Sequence, residues 1–290
     1  MFKTLVILHG LPRGGKKTWR SIFKNLQLST QTDFALCTNF EEIKKFPYKE
    51  KCKYIWGFEE PSDWFSYYEN NFNNNWREVF ELGKDTGLKN SGIIHFALKD
   101  IVLKNYLEIL KTYDQIIYTR FDQLLIYKEN FTDVNKIYIP EGEDYFGICD
   151  RFVAFPSEIS ETFFNICDFV DNEIIKLNLP EYLNCESVYS LQLKNSNLDE
   201  LIVRYPRNMF TSSKFNDHTN WRKPEYKLYF FNDLYLKYPQ EFLNSMNNFF
   251  KLSVTNILKS FSLRFVLNYF YLTLRIKLGK VKKFLIQKVS

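Results

Sequence analysis

The stretch "TLVILHGLPRGGKKTWRSI", Thr4 to Ile22, decides how the chain begins to fold. Lys3 to Leu8 alternates little between apolar and polar residues, which predicts a strand buried on both faces in a parallel sheet. Gly10, Pro12, Gly14 and Gly15 then impose a tight turn. From Lys16 to Leu28, Trp19, Ile22, Phe23 and Leu26 recur at helical spacing. Strand, glycine-rich turn and helix N-terminus together make an anion site, through exposed N–H groups and the helix dipole. Gly10, four residues, Gly15 and Lys16 stand one letter short of a P-loop. Lys17 occupies the place of the magnesium-binding hydroxyl, Thr18 comes one position late, and Pro12 removes a backbone donor. The turn therefore suits a phosphate, aided by Arg13, Lys16 and Lys17, better than it suits mononucleotide-kinase chemistry.

Outward from this unit the same alternation continues. Phe34 to Cys37 and Tyr54 to Trp56 read as further strands. Ser91 to Leu110 carries Ile94, Ala97, Leu98, Ile101 and Leu107 in one helical stripe, with Ser91 placed as its cap. In "YDQIIYTRFDQLLIY", Tyr113 to Tyr127, a strand runs from Gln115 to Thr119. From Ile137 the pattern turns to short strands, "IYIPEGEDYFGICDRFVAFPSE", followed by helical stretches over 157–177 and 183–195 and a strand from Leu201 to Tyr205. The expectation is an α/β domain over residues 1–240, its mostly parallel sheet flanked by helices, with a C-terminal helical basic extension over 241–290.

Composition narrows the function classes. The chain of 290 residues is 45% apolar and 25% charged, a globular balance. Its 18% of aromatic residues read mainly as core. Five scattered cysteines without C-x-x-C spacing indicate neither a zinc site nor a disulfide framework, so a reduced, cytoplasmic setting is expected. The apolar start is too short for a signal peptide, and no charge-free window reaches the roughly 20 residues of a membrane span. The net charge of +5 hides an asymmetry: residues 251–290 hold nine basic and no acidic residues, leaving 30 basic against 34 acidic before them. A mildly acidic body argues against nucleic acid as a partner and draws attention to the tail.

Ligands of open α/β sheets gather at the carboxyl ends of the strands, and one predicted strand ends in Arg120-Phe121-Asp122. An acid there can hold a divalent cation that bridges two phosphates, and Arg120 can contact the same diphosphate. A Walker B acid, or an Arg–Asp pair closing a turn, are the competing readings.

Taken together, the strand entering "GLPRGG", then "YTRFDQLL", then "YIPEG…DYFGICDRFVAFPSE" resemble bacterial polysaccharide glycosyltransferases of the GT-A type, the capsule and O-antigen group. The resemblance spans residues 3–205. It implies that Gly10, Pro12 and Arg13 face the nucleotide, that Asp122 faces the donor diphosphate with or without a divalent cation (Mn or Mg), and that Arg120 supports it. One carboxylate stands in Arg-x-Asp where Asp-x-Asp has two, so Arg120 would share the charge neutralisation. Asp150 and Arg151 would lie beside the sugar or acceptor. For an inverting reaction the base would be Glu186, near a helix N-terminus in "YLNCESVYSLQL", with Asp150 and Asp144 as alternatives. A late histidine, His218, would join Asp122 as a metal ligand, with Trp221 nearby for stacking. His9 would cap the first loop and His95 would be structural. The implied reaction moves a sugar from a nucleotide-sugar donor, a UDP-sugar first, to a cell-surface glycan or lipid-linked acceptor. The rivals are a P-loop-like kinase or sulfotransferase using Lys16 and Asp122, and a membrane-bound scaffold without catalysis.

On a helical wheel of "FSLRFVLNYFYLTLR", residues 261–275, Arg264, Asn268 and Arg275 share one narrow stripe and apolar side chains cover most of the rest. Such a helix packs on its own domain, on a second copy, or in a membrane interface. Lys277, Lys280, Lys282, Lys283 and Lys288 favour an anionic leaflet, at about 1 kcal/mol each. The expected location is thus the inner face of the cell membrane, reached through residues 252–290, with self-association as the other use of the tail.

Overall fold

The computed structural model describes residues 2–73, 75–214, 226–228, 234–252, 255, 257–258 and 262–289. The chain divides into two compact units, neither of them a continuous stretch. The first gathers Met1–Pro12, Leu26–Phe121 and Asn130–Tyr205; the second gathers Arg13–Asn25, Asp122–Glu129 and Pro206–Ser290.

The first unit is built on β1 (Thr4–His9), β2 (Thr32–Asn39), β3 (Tyr54–Phe58), β4 (Gln115–Arg120), β6 (Ile137–Pro140), β7 (Phe152–Pro156) and β8 (Ile202–Tyr205). They form a seven-stranded sheet in the order β3-β2-β1-β4-β7-β6-β8. The expected mostly parallel sheet, flanked by helices, is present. β1 lies parallel between β2 and β4, and only β7 runs against its neighbours. Leu5, Val6, Ile7 and Leu8 are each fully buried, about 1.5–3 kcal/mol apiece, which makes β1 the anchor of the sheet.

Helices of this unit include α2 (Phe40–Lys45), α3 (Trp64–Asn71), α4 (Trp76–Leu82), α5 (Ile93–Leu110), α6 (Ser160–Phe164), α7 (Ile166–Asp168) and α8 (Cys185–Asn195). In α5 the single apolar stripe expected from the sequence gives way to burial on two sides. Val102 and Leu110 join the core under the sheet, while Ile93, Phe96 and Ala97 join a second cluster with Tyr68, Trp76 and Phe80. A helix wedged between two cores has little solvent face left, and Lys99 and Asp100 are buried with it. Ser91 is not the cap: the chain enters α5 through a π-type turn, Leu88–Gly92, and the Ser91 hydroxyl donates to the Gly87 carbonyl.

In the second unit, β5 (Gln123–Leu125) pairs with β9 (Met209–Lys214), extending the order β10-β11-β9-β5 with Tyr226–Lys227 and Leu234–Leu236. The helix α1 (Gly15–Asn25) packs against β5; Asn25 donates to the Leu125 carbonyl and Thr18 shares a hydrogen bond with Ser212. Two further helices follow, α9 (Pro239–Phe250) and α10 (Leu263–Val289).

The tail helix is oriented differently from the wheel's polar stripe. Asn268 is fully buried, its amide satisfied by the Arg264 carbonyl one turn back. Leu272 is buried too, and Phe265, Tyr269 and Ile276 pack on the cluster of Phe210, Phe242 and Phe249. That aromatic wall draws in the most bulky side of the helix and leaves another apolar row outside. Leu263, Leu267, Phe270, Leu274 and Leu278 are all exposed, Phe270 at 61%. Their spacing confines them to an arc of about 80° and a length of about 22 Å. Exposed Arg264 and Arg275 border one edge of the row and exposed Lys277 the other.

Candidate active site

The carboxyl ends of β1 and β4 meet in register, His9 opposite Arg120. The His9 imidazole stacks on the Tyr118 ring, centroids 3.8 Å apart and planes within 5°, with His95 edge-on at 5.7 Å. It is 1% exposed, and neither ring nitrogen has a hydrogen-bond partner among the described residues. Among the described residues, then, His9 is held by ring stacking and does not cap the first loop through a hydrogen bond. Burial, then the charges of His95, Arg120 and Lys99, hold its pKa well below the ordinary 6.5. Below pH 6.5 the unfolded chain takes up a proton that folded His9 refuses, so stability falls as pH drops from 6.5 toward 5. The limiting slope for this one proton is about 1.4 kcal/mol per pH unit. His9→Phe keeps a ring against Tyr118 and removes the proton. Urea unfolding between pH 7 and 5 should give a shallower loss for the variant; equal slopes would show that His9 titrates alike in both states.

On α5, Lys99 lies 4.2 Å from the ring of Phe163 and 4.3 Å from that of Tyr189. Burial pushes its pKa down to about 8, against an opposing pull from Asp150. The cation beside Asp150 is thus Lys99, a residue that sequence reading passes over because it sits within an apolar helix. Buried lysines are rare unless paired, and that rarity is the only signal the sequence carries.

Arg151, 4% exposed at the entry to β7, is shared between two carboxylates: Nη1 lies 3.9 Å from Glu143 and Nη2 lies 3.7 Å from Glu186. At these lengths both contacts are ion pairs, longer than hydrogen bonds. The Arg151 carbonyl accepts from Thr119 on β4, which fixes this edge beside the strand ends. Glu186 stands where the sequence placed it, in the first turn of α8, and is about one-eighth exposed. Asn184 caps that helix by accepting from the Ser187 N–H, and the Ser187 hydroxyl answers to the Asn184 N–H. Asp144 is engaged elsewhere: Arg204 grips both its oxygens at 2.8 and 3.0 Å, leaving it a poor candidate for the base.

The loop between β6 and β7 is held against α8. Asn184 donates to the Tyr145 carbonyl and the Ile148 N–H to the Glu186 carbonyl. Gly147 permits this approach, since a Cβ there would sit 2.0 Å from the Glu186 carbonyl oxygen. Glu143, Tyr145 and Phe146 all take positive φ, at 57°, 39° and 71°. Such conformations cost about 1 kcal/mol or more each and cluster at functional sites. Phe146 is 76% exposed and stacks on Tyr182, itself 48% exposed.

In the second unit the glycine-rich turn shows what its departures from a P-loop mean. The Thr18 hydroxyl is committed to the Gly14 carbonyl and to Ser212. The Lys214 stem lies across Gly15, so close that a Cβ would meet its Cε at 2.0 Å. The Arg13 carbonyl accepts from the Trp19 indole. In the first unit Gly10, at positive φ, donates to the Cys37 carbonyl, and Pro12 is half-buried. Asp122 is 2% exposed, its carbonyl bonded to the N–H and hydroxyl of Ser212. His218 and Trp221 lie outside the described residues. Among the described residues no three His, Cys, Asp or Glu side chains converge as ligands. Nor, among them, is any helix long and apolar enough to cross a membrane.

The structure thus brings together Asp150, Arg151 and Glu186, and adds Lys99, Glu143 and His9. The arrangement offers fixed cations for a developing negative charge and a carboxylate at a helix N-terminus. No family model and no curated protein matches the chain. Among solved structures it is similar to one titled PaToxG Glycosyltransferase, at 15% identity over 67% of this chain and 69% of that chain, with a TM-score of 0.38. A likeness of that size says nothing of the chemistry, which rests on the side chains.

Proposed function

We propose that this chain is a glycosyltransferase that moves a sugar from a nucleotide-sugar donor, a UDP-sugar first, to a glycan or lipid-linked acceptor. The observation that carries the reading is the Glu143–Arg151–Glu186 cluster at the carboxyl edge of β4, where α/β sheets bind ligands. Breaking a sugar–phosphate bond leaves negative charge on the diphosphate. Arg151, held between two carboxylates, puts a fixed positive charge at that edge to stabilise it. Glu186, in the first turn of α8 beside Arg151, is suited to take the acceptor hydroxyl proton. The kinase reading is disfavoured by the commitment of the Thr18 hydroxyl and by the Lys214 stem over Gly15.

Thermal unfolding against UDP-, GDP-, CMP- and dTDP-sugars beside ATP, each with and without manganese, tests the proposal. One sugar nucleotide at saturating concentration should raise the midpoint by at least about 3 °C. Loss of that rise in Asp122→Asn would assign this carboxylate to the donor. A rise with ATP alone, or with none of the ligands, would overturn the reading.

A lipid surface is the second part of the proposal. The outward row of α10, bordered by Arg264, Arg275 and Lys277, fits an anionic leaflet, because the last 40 residues carry no acid to oppose its headgroups.

A further inference from the structure

The loop Glu141–Asp150 presents two aromatic rings to solvent for which the transferase reading alone gives no role. Phe146, 76% exposed, stacks on Tyr182 at 5.1 Å with planes 23° apart. Tyr145, 42% exposed, precedes it, its ring 5.8 Å from the Arg151 guanidinium and its hydroxyl bonded to Glu143. An exposed phenylalanine costs solubility, and the backbone around it adopts positive φ at three non-glycine residues to keep it there. Gly147 and Asn184 clamp that loop to the first turn of α8, so the rings are rigid rather than swept by motion.

We infer that Phe146, Tyr182 and Tyr145 form a stacking platform for a pyranose ring of the acceptor glycan; this rests on the transferase reading. A pyranose has a flat face of C–H bonds and a rim of hydroxyls. Aromatic faces, electron-rich at their centres, attract the C–H side. Polar groups for the rim are carried by the same loop: Glu143, paired with Arg151, and Asp144, whose pair with Arg204 is about one-third exposed. Both pairs offer donors and acceptors in the fixed geometry that hydroxyls need. A protein partner fits less well. The three rings expose on the order of 300 Å² together, well under the roughly 800 Å² per partner of a stable interface. Platform and base are also linked through the backbone: Glu186 follows Tyr182 by four residues, and its carbonyl accepts from the Ile148 N–H of the loop that carries Phe146. A sugar on the platform would therefore be held in fixed register with the carboxylate.

Saturation-transfer NMR of the full chain with cellobiose, lactose, N-acetyllactosamine and chitobiose tests this, with UDP as an internal check. At least one disaccharide should show transfer concentrated on the C–H protons of one ring face. Phe146→Ser should reduce that transfer at least about fivefold, Phe146→Trp should retain it, and the UDP signal should persist in both. An unchanged midpoint of unfolding would exclude misfolding, as expected for so exposed a side chain. A UDP signal with no disaccharide signal, or disaccharide transfer indifferent to Phe146→Ser, overturns the platform while leaving the transferase standing. Absence of UDP and sugar signals alike overturns the platform, and the thermal panel of sugar nucleotides then decides the transferase. Self-association that Phe146→Ser abolishes would also overturn it, by making the rings a contact between copies.

Discussion

Glu186→Gln is expected to lower kcat by about 10²- to 10⁴-fold while leaving the donor KM near its wild-type value. The substitution keeps the shape of the side chain and the capping by Asn184, and removes the charge, hence both the capacity to accept a proton and the ion pair with Arg151. Stability should also fall, because the change weakens the ion pair of buried Arg151 as well as removing a first-turn carboxylate worth about 0.3–1 kcal/mol to its helix. The wild type should lose kcat/KM at acid pH as the carboxylate protonates, and the variant's residual activity should lack that limb. A steady-state pH profile of both proteins reads this directly. Retention of more than about a tenth of kcat would move the role to Asp150, whose Asn variant should then carry the loss.

Binding of the full chain to phosphatidylcholine vesicles should require added phosphatidylglycerol and weaken as salt is raised. Replacing Leu267, Phe270 and Leu274 together by glutamine should weaken it by at least about tenfold, since three apolar side chains then no longer enter the interface. These positions face away from Phe210, Phe242 and Phe249, so the fold has no stake in them. Co-sedimentation decides the matter. Equal binding by the variant, or none by the wild type, would refute the lipid surface. A dimer dissolved by the same three changes would assign the row to a second copy.

Much of the frame was legible in the sequence because local patterns governed it. The uncharged run of β1, the helical recurrence in α1 and the strand before Arg120 each depend on residues next to one another. The direction of β7 was not legible: "FVAFP" is buried on both faces, and nothing in such a run says which way it points. Nor does any residue type announce that β5 leaves the main sheet, which depends on its pairing with β9 far along the chain. The wheel placed Arg264, Asn268 and Arg275 correctly on one stripe, but a wheel has no neighbours. Only the aromatic cluster of the second unit decides that Asn268 turns inward. At the candidate site, Glu186 was found from its helix start, whereas the Lys99–Asp150 neighbourhood and the exposed Phe146 arise from tertiary placement and from positive φ at residues that rarely adopt it.

The second unit carries a cost in time. Thr18 and Ser212, which share a hydrogen bond in the fold, are 194 positions apart. At a synthesis rate of about 5–20 residues per second, α1 leaves the ribosome about 10–40 s before the strand it must pack with. Through the first half of that interval, until β5 is made, its apolar side, Ile22 and Phe23, has no partner from its own unit, and a nascent chain of this protein is a natural client for a chaperone. Deleting the chain beyond Tyr205 would for the same reason remove no mere appendage. It would leave α1 and β5, both already made, without the sheet that buries them.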